Sequence, residues 1–246
     1  MLERHLGNPT GVEIKGFIDL SMVDWDGKVS AVIFLPRCNF RCPFCYNVAL
    51  VLTPDELPTI PFEKIGSYLQ RHKDGIEGVV ITGGEPTIHR NLPDLCRRLK
   101  NLGIKVKLDT NGSNPSMVRE LMKKHLIDYI ALDVKAPLTV EDYSRAIGVD
   151  GEVFLKMIEE TMSILMESDV DYEFRTTVIP TIHTEEDIRS ICKAISGCRR
   201  YVLQNFKEGV KMIDPSFEKL KPFSKEEMER FLCAARRYVK NTKIRG

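Results

Sequence analysis

The chain lacks the features that mark secreted, membrane-bound and nucleic-acid-binding proteins. Its 36 Lys and Arg are balanced by 35 Asp and Glu among 246 residues, so no net charge favours nucleic acid or an anionic lipid surface. No apolar run approaches the ~20 residues that span a bilayer, and residues 1–5 do not open a signal peptide. We expect a cytoplasmic protein with neither a nucleic-acid nor a membrane partner.

The cysteine content argues against disulfide bonds. An odd number of cysteines, seven, in a chain of this length does not form a disulfide framework. Free thiols indicate a reducing compartment. Four of the seven are scattered, and we expect Cys96, Cys192, Cys198 and Cys233 to be small buried apolar residues.

Cys38, Cys42 and Cys45 stand together, with no fourth cysteine nearby. Thiolates hold iron–sulfur clusters, and clusters that only carry electrons take four of them. Three thiolates leave one iron open, and an open position distinguishes a catalytic metal site from a structural one. The triplet also fits half of a zinc knuckle without its second ligand pair, a redox dithiol that leaves Cys38 without a role, or buried structural cysteines. The count favours chemistry at a cluster.

Strands and helices alternate along the chain, without a linker or a repeat. Short β-branched, apolar runs predict six strands, each followed by a stretch of helical spacing. This order predicts an α/β fold with parallel strands, and six units favour a partial (β/α)6 TIM-like barrel. A flat doubly wound sheet is the alternative. The predicted strands cover residues 29–35, 78–82, 105–109, 129–134, 172–179 and 201–205, and the predicted helices 62–72, 93–102, 116–125, 152–167, 184–195 and 224–239.

The domain organisation is predicted to be simple. We expect one domain over residues 1–246, with a core at about 28–206, an N-terminal extension at 1–27 and a C-terminal helix at about 224–239. The basic end, residues 236–245, is expected to be a solvated helix face and a frayed tail. Function in such folds concentrates at the carboxyl ends of the strands, which directs attention to the residues there.

Glycines and polar side chains stand at those strand ends. Gly83, Gly84 and Glu85 follow the second strand, where glycine permits close backbone approach, although Gly-Gly-Glu-Pro is also a common turn. Asp133 and Lys135 end the fourth strand, where they meet a polar ligand or only each other, as an ion pair on a solvated rim. The other candidates are Asp109, Thr110 and Asn111 after the third strand, Arg175 on the fifth and, more weakly, Gln204 and Asn205 on the sixth.

The spacing C-x3-C-x2-C, with Phe44 just before the last cysteine, resembles the signature of the radical S-adenosylmethionine (SAM) enzymes. The resemblance implies one 4Fe–4S cluster held by Cys38, Cys42 and Cys45, with SAM bound to the open iron. In that superfamily an electron from the cluster breaks the sulfonium bond and yields a 5′-deoxyadenosyl radical. The residues implied to bind SAM are Phe44, Tyr46, Gly83, Gly84, Glu85, Asp109, Thr110, Asn111, Asp133, Lys135 and Arg175.

Within that superfamily the chain is most similar to the enzymes that activate glycyl-radical enzymes. The runs 42–47, 108–112 and 132–135 carry the likeness, with Tyr46 where that branch has histidine. In length and in the sequences of these motifs, the chain best resembles the activating proteins of anaerobic ribonucleoside-triphosphate reductase. The likeness implies that anaerobic ribonucleotide reductase is the partner and that flavodoxin or ferredoxin, which leaves no trace in the sequence, is the electron donor.

Two further expectations come from the activases of pyruvate formate-lyase. Those enzymes hold a monovalent cation beside SAM, which implies Asp109, Thr110 and Asp133 as its ligands here. Phe206 lies near where they carry a cofactor-contacting histidine, which puts that contact in doubt. Residues 48–78 contain no cysteine, so we expect a single cluster.

Three functions compete with activation. A radical enzyme of this kind also serves small-molecule chemistry, as in 7-carboxy-7-deazaguanine synthesis, or the modification of another protein. A non-enzymatic iron–sulfur or zinc scaffold is the third, and it gives no reason for polar residues at the other strand ends.

Overall fold

One sheet of eight strands forms the frame of the protein in the computed structural model, which describes residues 11–245. The strands are β1 (Gly16–Ser21), β2 (Ser30–Leu35), β3 (Gly78–Gly83), β4 (Lys105–Thr110), β5 (Tyr129–Asp133), β6 (Asp171–Val178), β7 (Tyr201–Asn205) and β8 (Thr242–Arg245). They lie side by side in chain order. β1 is antiparallel to β2, and every later pair of neighbours is parallel.

Helices occupy most connections between the parallel strands, as expected for an α/β fold. They are α1 (Val48–Leu52), α2 (Phe62–Arg71), α3 (Leu92–Asn101), α4 (Pro115–Lys123), α5 (Val140–Ile147), α6 (Gly151–Met166), α7 (Glu185–Ala194) and α8 (Lys225–Arg236). Short 3-10 turns lie at Pro54–Glu56, Pro86–Ile88 and Pro215–Lys219. Thr184 and Asp187 form a reciprocal capping box at the start of α7, where the sequence indicates a helix start.

The sheet curls into a partial barrel. Asp26 lies between β1 and β2, yet its carboxylate accepts a hydrogen bond of 2.8 Å from Arg245 of β8, at the opposite edge of the sheet. Lys243 of β8 contacts the same carboxylate. In a flat sheet with strands about 4.8 Å apart, these groups would be roughly 30 Å apart. The predicted partial TIM-like barrel is confirmed, and the flat doubly wound sheet is excluded.

Strand alternation divides the apolar residues between two faces of the sheet. On β2, Ala31, Ile33 and Leu35 join the main apolar core beneath the helices, whereas Val32 faces the barrel interior beside Val80. Because both faces are covered, the strand is apolar along nearly its whole length. The main core therefore lies between the sheet and the helices, and the smaller interior leaves room for polar groups.

The prediction of a frayed tail is wrong, because residues 242–245 form β8 beside β7. The tail is ordered by charge: Arg245 donates to the carboxylates of Asp26 and Glu173 inside the barrel. Strand β1 and the helices α1 and α5 are also absent from the sequence prediction. The sheet consequently has eight strands, not six.

All seven cysteines are free, in agreement with the expected lack of disulfides. Cys96, Cys192 and Cys198 are buried as predicted, but Cys233 is exposed, so its prediction is wrong. The buried side chains of α8 recur mostly at spacings of three and four residues, and Cys233 falls outside that stripe.

The domain boundaries stay a prediction. Residues 1–10 of the N-terminal extension, which include the residues 1–5 considered as a signal peptide, lie outside the described residues, as does residue 246. None of the helices within residues 11–245 has the length and apolar character to cross a membrane.

Candidate active site

The cysteine loop connects the end of β2 to α1, and hydrogen bonds to backbone carbonyl groups stabilise it. Arg37 adopts a left-handed conformation with φ of 61°, and its N–H donates to the carbonyl of Leu50 at 2.7 Å. Cys45 N–H donates to the carbonyl of Cys42 at 3.0 Å. The guanidinium of Arg41 donates to the carbonyls of Cys38 and Phe40, both at 2.7 Å. These bonds set the shape of the loop.

The three thiols of the loop suit an iron–sulfur cluster. Burial raises the pKa of Cys38 to about 11 and that of Cys42 to about 12, and it also raises the pKa of Cys45. The ammonium of Lys135 acts in the opposite direction and lowers the pKa of all three thiols. Buried thiols near a cation become thiolates when a metal binds and supplies further positive charge.

The thiols do not converge on one ion. Within residues 11–245, no group of three or more His, Cys, Asp and Glu side chains is arranged to hold a single metal ion. The thiolates of a cluster bind different irons, so they need not meet at one point. Cys38 Sγ also accepts hydrogen bonds from Phe40 N–H at 3.4 Å and from the side-chain amide of Asn111 at 3.9 Å. Such bonds to sulfur tune the potential of a cluster.

Gly83 and Gly84 bring the end of β3 against the cysteine loop. The N–H groups of Gly84 and Glu85 donate to the carbonyls of Leu35 and Arg37, both at 2.8 Å. A Cβ on Gly83, whose φ is +115°, would lie 2.5 Å from the Leu35 carbonyl oxygen, and one on Gly84 would lie 1.8 Å from that of Arg37. The close backbone approach at these glycines is made with the end of β2 and with Arg37 of the cysteine loop; their contact with a ligand stays a prediction.

Glu85 connects the loops that follow β3 and β4. Its side chain is buried, at 1% exposure, and its carboxylate accepts from the N–H and hydroxyl of Thr87 at 3.0 and 2.6 Å. It also accepts from the hydroxyl of Thr110 and the N–H of Asn111, both at 2.7 Å. Burial raises the pKa of Glu85, although these four donors oppose the shift. All four are protein groups, so the carboxylate positions Thr110 and Asn111.

Two carboxylates and two cations meet where β4 and β5 end beside the middle of β6. Asp133 and Arg175 are register partners on β5 and β6. The guanidinium donates from Nε to Asp133 Oδ1 at 2.8 Å and from Nη1 to Asp109 Oδ2 at 2.9 Å. Lys135 Nζ lies 3.3 Å from Asp133 Oδ2. Although burial opposes it, Arg175 and Lys135 lower the pKa of Asp133 to about 2, so this carboxylate is ionised at neutral pH.

The backbone of Lys135 is fixed by residues that the sequence prediction missed. Its N–H donates to the hydroxyl of Tyr143 at 3.3 Å, and its carbonyl lies 2.9 Å from Nε2 of His183. The other ring nitrogen of His183 accepts from Ile179 N–H at 2.9 Å, so Nε2 carries the proton and donates. Burial lowers the pKa of His183 to about 4, so the ring is neutral at pH 7. His183 follows β6 by five positions, and the rule of strand ends would have found it.

A second group of charged side chains lies inside the barrel, next to Asp109. Lys107 and Glu173 are each 1% exposed, and Lys107 Nζ lies 3.6 Å from Asp109 Oδ1 and 3.8 Å from Glu173 Oε1. Arg245 and Tyr129 also donate to the Glu173 carboxylate, at 2.9 and 3.1 Å. The sequence could have indicated this group, because the charged residues 105, 107 and 109 alternate with apolar residues along β4. Alternate residues share one face of a strand.

The remaining candidates are Phe44, Tyr46, Phe206 and Asn205. Phe44 and Tyr46 lie within the cysteine loop, where Phe44 packs partly against the apolar core and Tyr46 is 60% exposed. Phe206 is buried in the apolar core at 5% exposure. Asn205 donates to the carbonyl of Phe223 and accepts from Phe206 N–H. The structure therefore brings the cysteines together with Gly83–Glu85, Asp109–Asn111, Asp133, Lys135 and Arg175; it does not bring Phe206 or Asn205 into that group.

Comparison with protein families identifies the pattern. A sequence model of the radical SAM superfamily matches residues 32–195, from β2 through the cysteine loop to the residue after α7. The chain is 34% identical over 235 residues to a Methanocaldococcus jannaschii protein named "Putative glycyl-radical enzyme activating enzyme", covering 94% of this chain and 95% of that protein. It is 31% identical over 131 residues to the 7-carboxy-7-deazaguanine synthase of Hyperthermus butylicus, covering 50% of this chain and 54% of that enzyme.

A solved structure shares the fold. Streptococcus suis SuiB bound to S-adenosylmethionine superposes with a TM-score of 0.64 at 19% identity, over 87% of this chain and 52% of SuiB. The chain thus spans about half the length of SuiB. At this identity the likeness supports the barrel architecture alone.

Proposed function

The chain belongs to the radical SAM superfamily, whose members use a 4Fe–4S cluster and SAM, and we propose that it activates a glycyl-radical enzyme. The observation that carries the proposal is the end-to-end match to a relative bearing that name, over 94% of this chain and 95% of the relative. This match extends well beyond the cysteine loop and spans the part of the chain that contains the strand-end residues.

The cysteine loop would hold the cluster through Cys38, Cys42 and Cys45. When bound, the cluster and SAM supply the electron transfer that breaks the sulfonium bond and gives methionine and a 5′-deoxyadenosyl radical. Lys135 presents a permanent positive charge near all three cysteine sulfurs. We assign it to the methionyl carboxylate, because a buried ammonium binds an anion more strongly than a solvated one does.

Two polar groups orient this arrangement. Asn111 donates towards Cys38 Sγ and is itself held by Glu85, which accepts from its backbone N–H at 2.7 Å. Asp109 Oδ1 is buried and has no hydrogen-bond donor among the described residues. A buried carboxylate oxygen in that state suits a ligand hydroxyl.

The proposed substrate is one glycine of a partner protein. The radical would take a hydrogen atom from its Cα, which releases 5′-deoxyadenosine and leaves a glycyl radical. β1 and β8 are the two edges of the sheet and do not pair with each other. On β1, the apolar side chains of Ile18 and Leu20 are 42% and 54% exposed, as suits the entry of a peptide loop at this edge. We propose anaerobic ribonucleoside-triphosphate reductase as the partner, flavodoxin or ferredoxin as electron donor, and the cytoplasm as the location.

Electron paramagnetic resonance tests the proposal. The anaerobically reconstituted protein should bind about four irons and produce 5′-deoxyadenosine when reduced. With SAM and the candidate reductase from the same genome it should generate the doublet of a glycyl radical, and Cys42→Ala should generate none. A wild type that cleaves SAM but yields no doublet with any glycyl-radical enzyme of that genome would refute activation and leave the superfamily assignment intact.

A small-molecule reaction is the second candidate, because the chain is also similar to a 7-carboxy-7-deazaguanine synthase. That match covers only 50% of this chain, against 94% for the first relative. The longer match, to a relative named as an activating enzyme, therefore favours a protein substrate. Formation of 5′-deoxyadenosine in proportion to consumption of a small molecule, without a protein radical, would reverse this preference.

A further inference from the structure

One guanidinium bridges the two carboxylates at the ends of β4 and β5. Arg175 donates from Nη1 to Asp109 Oδ2 at 2.9 Å and from Nε to Asp133 Oδ1 at 2.8 Å. These carboxylates belong to the set that resemblance to the pyruvate formate-lyase activases assigns to a monovalent cation. The Arg175 side chain is only 10% exposed, so its charge acts in a poorly solvated place.

The other two carboxylate oxygens also face protein cations. Asp109 Oδ1 lies 3.6 Å from Lys107 Nζ, and Asp133 Oδ2 lies 3.3 Å from Lys135 Nζ. A metal ion between the carboxylates would therefore approach the guanidinium of Arg175 and the amino groups of Lys135 and Lys107, whose side chains are 10%, 17% and 1% exposed. Like charges in such surroundings repel strongly, so this group is ill suited to a cation.

Thr110, the third ligand that the resemblance implies, already makes two hydrogen bonds within the protein through its hydroxyl group. Thr110 is 3% exposed, and its hydroxyl donates to Glu85 Oε1 at 2.7 Å. The same hydroxyl oxygen accepts from Gly112 N–H at 3.1 Å. The hydroxyl is therefore part of the connection between the loops after β3 and β4. Asp109, Thr110 and Asp133 do not fit the ion that the resemblance implies.

We propose that the Arg175 guanidinium takes the place of the monovalent cation, so that this protein binds SAM without one. Arg175 is a positioning residue: it holds the two carboxylates apart at fixed places and leaves Lys135 to face the methionyl carboxylate. The inference rests on the proposed function only as far as SAM binding, and it does not depend on which partner receives the radical.

Cation dependence of SAM binding tests the inference. The reconstituted protein is placed in tetramethylammonium chloride, which is then replaced by potassium or sodium chloride at constant ionic strength, and the Kd for SAM is measured by equilibrium dialysis. Cleavage is followed in parallel as 5′-deoxyadenosine, with photoreduced deazaflavin as the electron source because dithionite salts add sodium. We expect the wild-type Kd to differ by less than about twofold among the three salts, a range that corresponds to ~0.4 kcal/mol.

Variants at Arg175 separate charge from structure. Arg175→Ala should weaken SAM binding at least about tenfold in tetramethylammonium, since two carboxylates then face each other without a bridge, and potassium or sodium should restore part of the loss. Arg175→Lys should bind more weakly than the wild type but stay insensitive to the salt. Arg119→Ala is the matched control, because Arg119 is an exposed arginine that pairs with Glu160 on the protein surface and not with a carboxylate of the site.

Several results would overturn the inference. A wild type whose affinity rises more than about fivefold with potassium or sodium needs a cation, and Arg175 does not replace one. An Arg175→Ala protein with wild-type affinity in every salt shows that the guanidinium has no such role. If that variant fails to fold, the wild-type series and Arg175→Lys still decide. A wild type that binds no SAM in any salt refutes the proposed function as well, which distinguishes the two failures.

Discussion

Replacing Gly84 with alanine should displace the cysteine loop, because the loops after β2 and β3 touch at this residue. A Cβ on Gly84 would lie 1.8 Å from the Arg37 carbonyl oxygen, whereas Cβ contacts essentially never fall below 3.0 Å. The loops must separate by about 1.2 Å (3.0 − 1.8 Å) before the methyl group fits. Gly84 is not among the glycines with positive φ, so the effect is steric and not conformational.

The magnitude follows from the contacts that the separation breaks. Two backbone hydrogen bonds of 2.8 Å join the loops, from Gly84 N–H to Leu35 and from Glu85 N–H to Arg37. Leaving a buried partner unpaired costs about 1–3 kcal/mol, and forcing a methyl group into a packed site costs about 1–3 kcal/mol. We expect the free energy of unfolding of the apoprotein to fall by about 3 kcal/mol. Iron content after reconstitution should fall too, since Cys38 directly follows Arg37.

Urea unfolding followed by circular dichroism measures the first effect, and iron analysis measures the second. Gly75→Ala is the matched control, because its Cβ would meet only the His72 carbonyl oxygen, at an ordinary 3.8 Å. That variant should be as stable as the wild type or up to about 1 kcal/mol more stable. If Gly84→Ala lies within about 0.5 kcal/mol of the wild type and binds its full iron, the two loops do not meet in the way described.

Three further predictions concern single side chains. Lys135→Ala should raise the Kd for SAM about tenfold or more while iron content stays unchanged; equal affinity in dialysis, or an equal loss in the surface variant Lys124→Ala, would remove Lys135 from the site. Burial lowers the pKa of His183 to about 4. Between about pH 6.5 and pH 4, His183 is therefore protonated in the unfolded chain but neutral in the folded chain. Stability should therefore fall by roughly 2 kcal/mol from pH 7 to pH 5, and urea unfolding of His183→Gln should lack this component; identical pH slopes would contradict the burial. Cys233 is exposed and Cys96 is buried, so mass spectrometry after brief iodoacetamide treatment of the folded protein should find the label on Cys233 and not on Cys96; labelling of both at one rate would place Cys96 wrongly.

The sequence predicted the features that depend on short stretches of chain. Strand residues 78–82 and the capping box of α7 need only neighbours along the chain, and the structure has both. The rule that polar residues at parallel strand ends lie at one edge of the sheet is consistent with Asp109 and Asp133, which both lie within hydrogen-bond distance of Arg175 in the middle of β6. The likeness of the cysteine spacing to a known superfamily is confirmed by the family match over residues 32–195.

The errors arose where a residue's partner lies far along the chain. Residues 242–245 are basic and resemble a tail, yet they form β8 because Arg245 meets Asp26 and Glu173 across the barrel. The sequence prediction did not single out Lys107, which is 1% exposed because the sheet curls around its inner face; the alternation along β4 shows that it shares a face with Asp109 but not that this face is enclosed. Neither outcome follows from a local pattern of polar and apolar residues.

By itself, the sequence predicted Cys38, Cys42 and Cys45 as the ligands of a cluster and the order of the six central strands, because both predictions depend on spacing along the chain. Only the tertiary structure decided that Arg175 lies between Asp109 and Asp133. Parallel register placed it beside Asp133, and curvature of the sheet closed the space around it. The physical reason is that the charge balance of a buried site depends on distances between separate strands, and sequence spacing does not contain those distances.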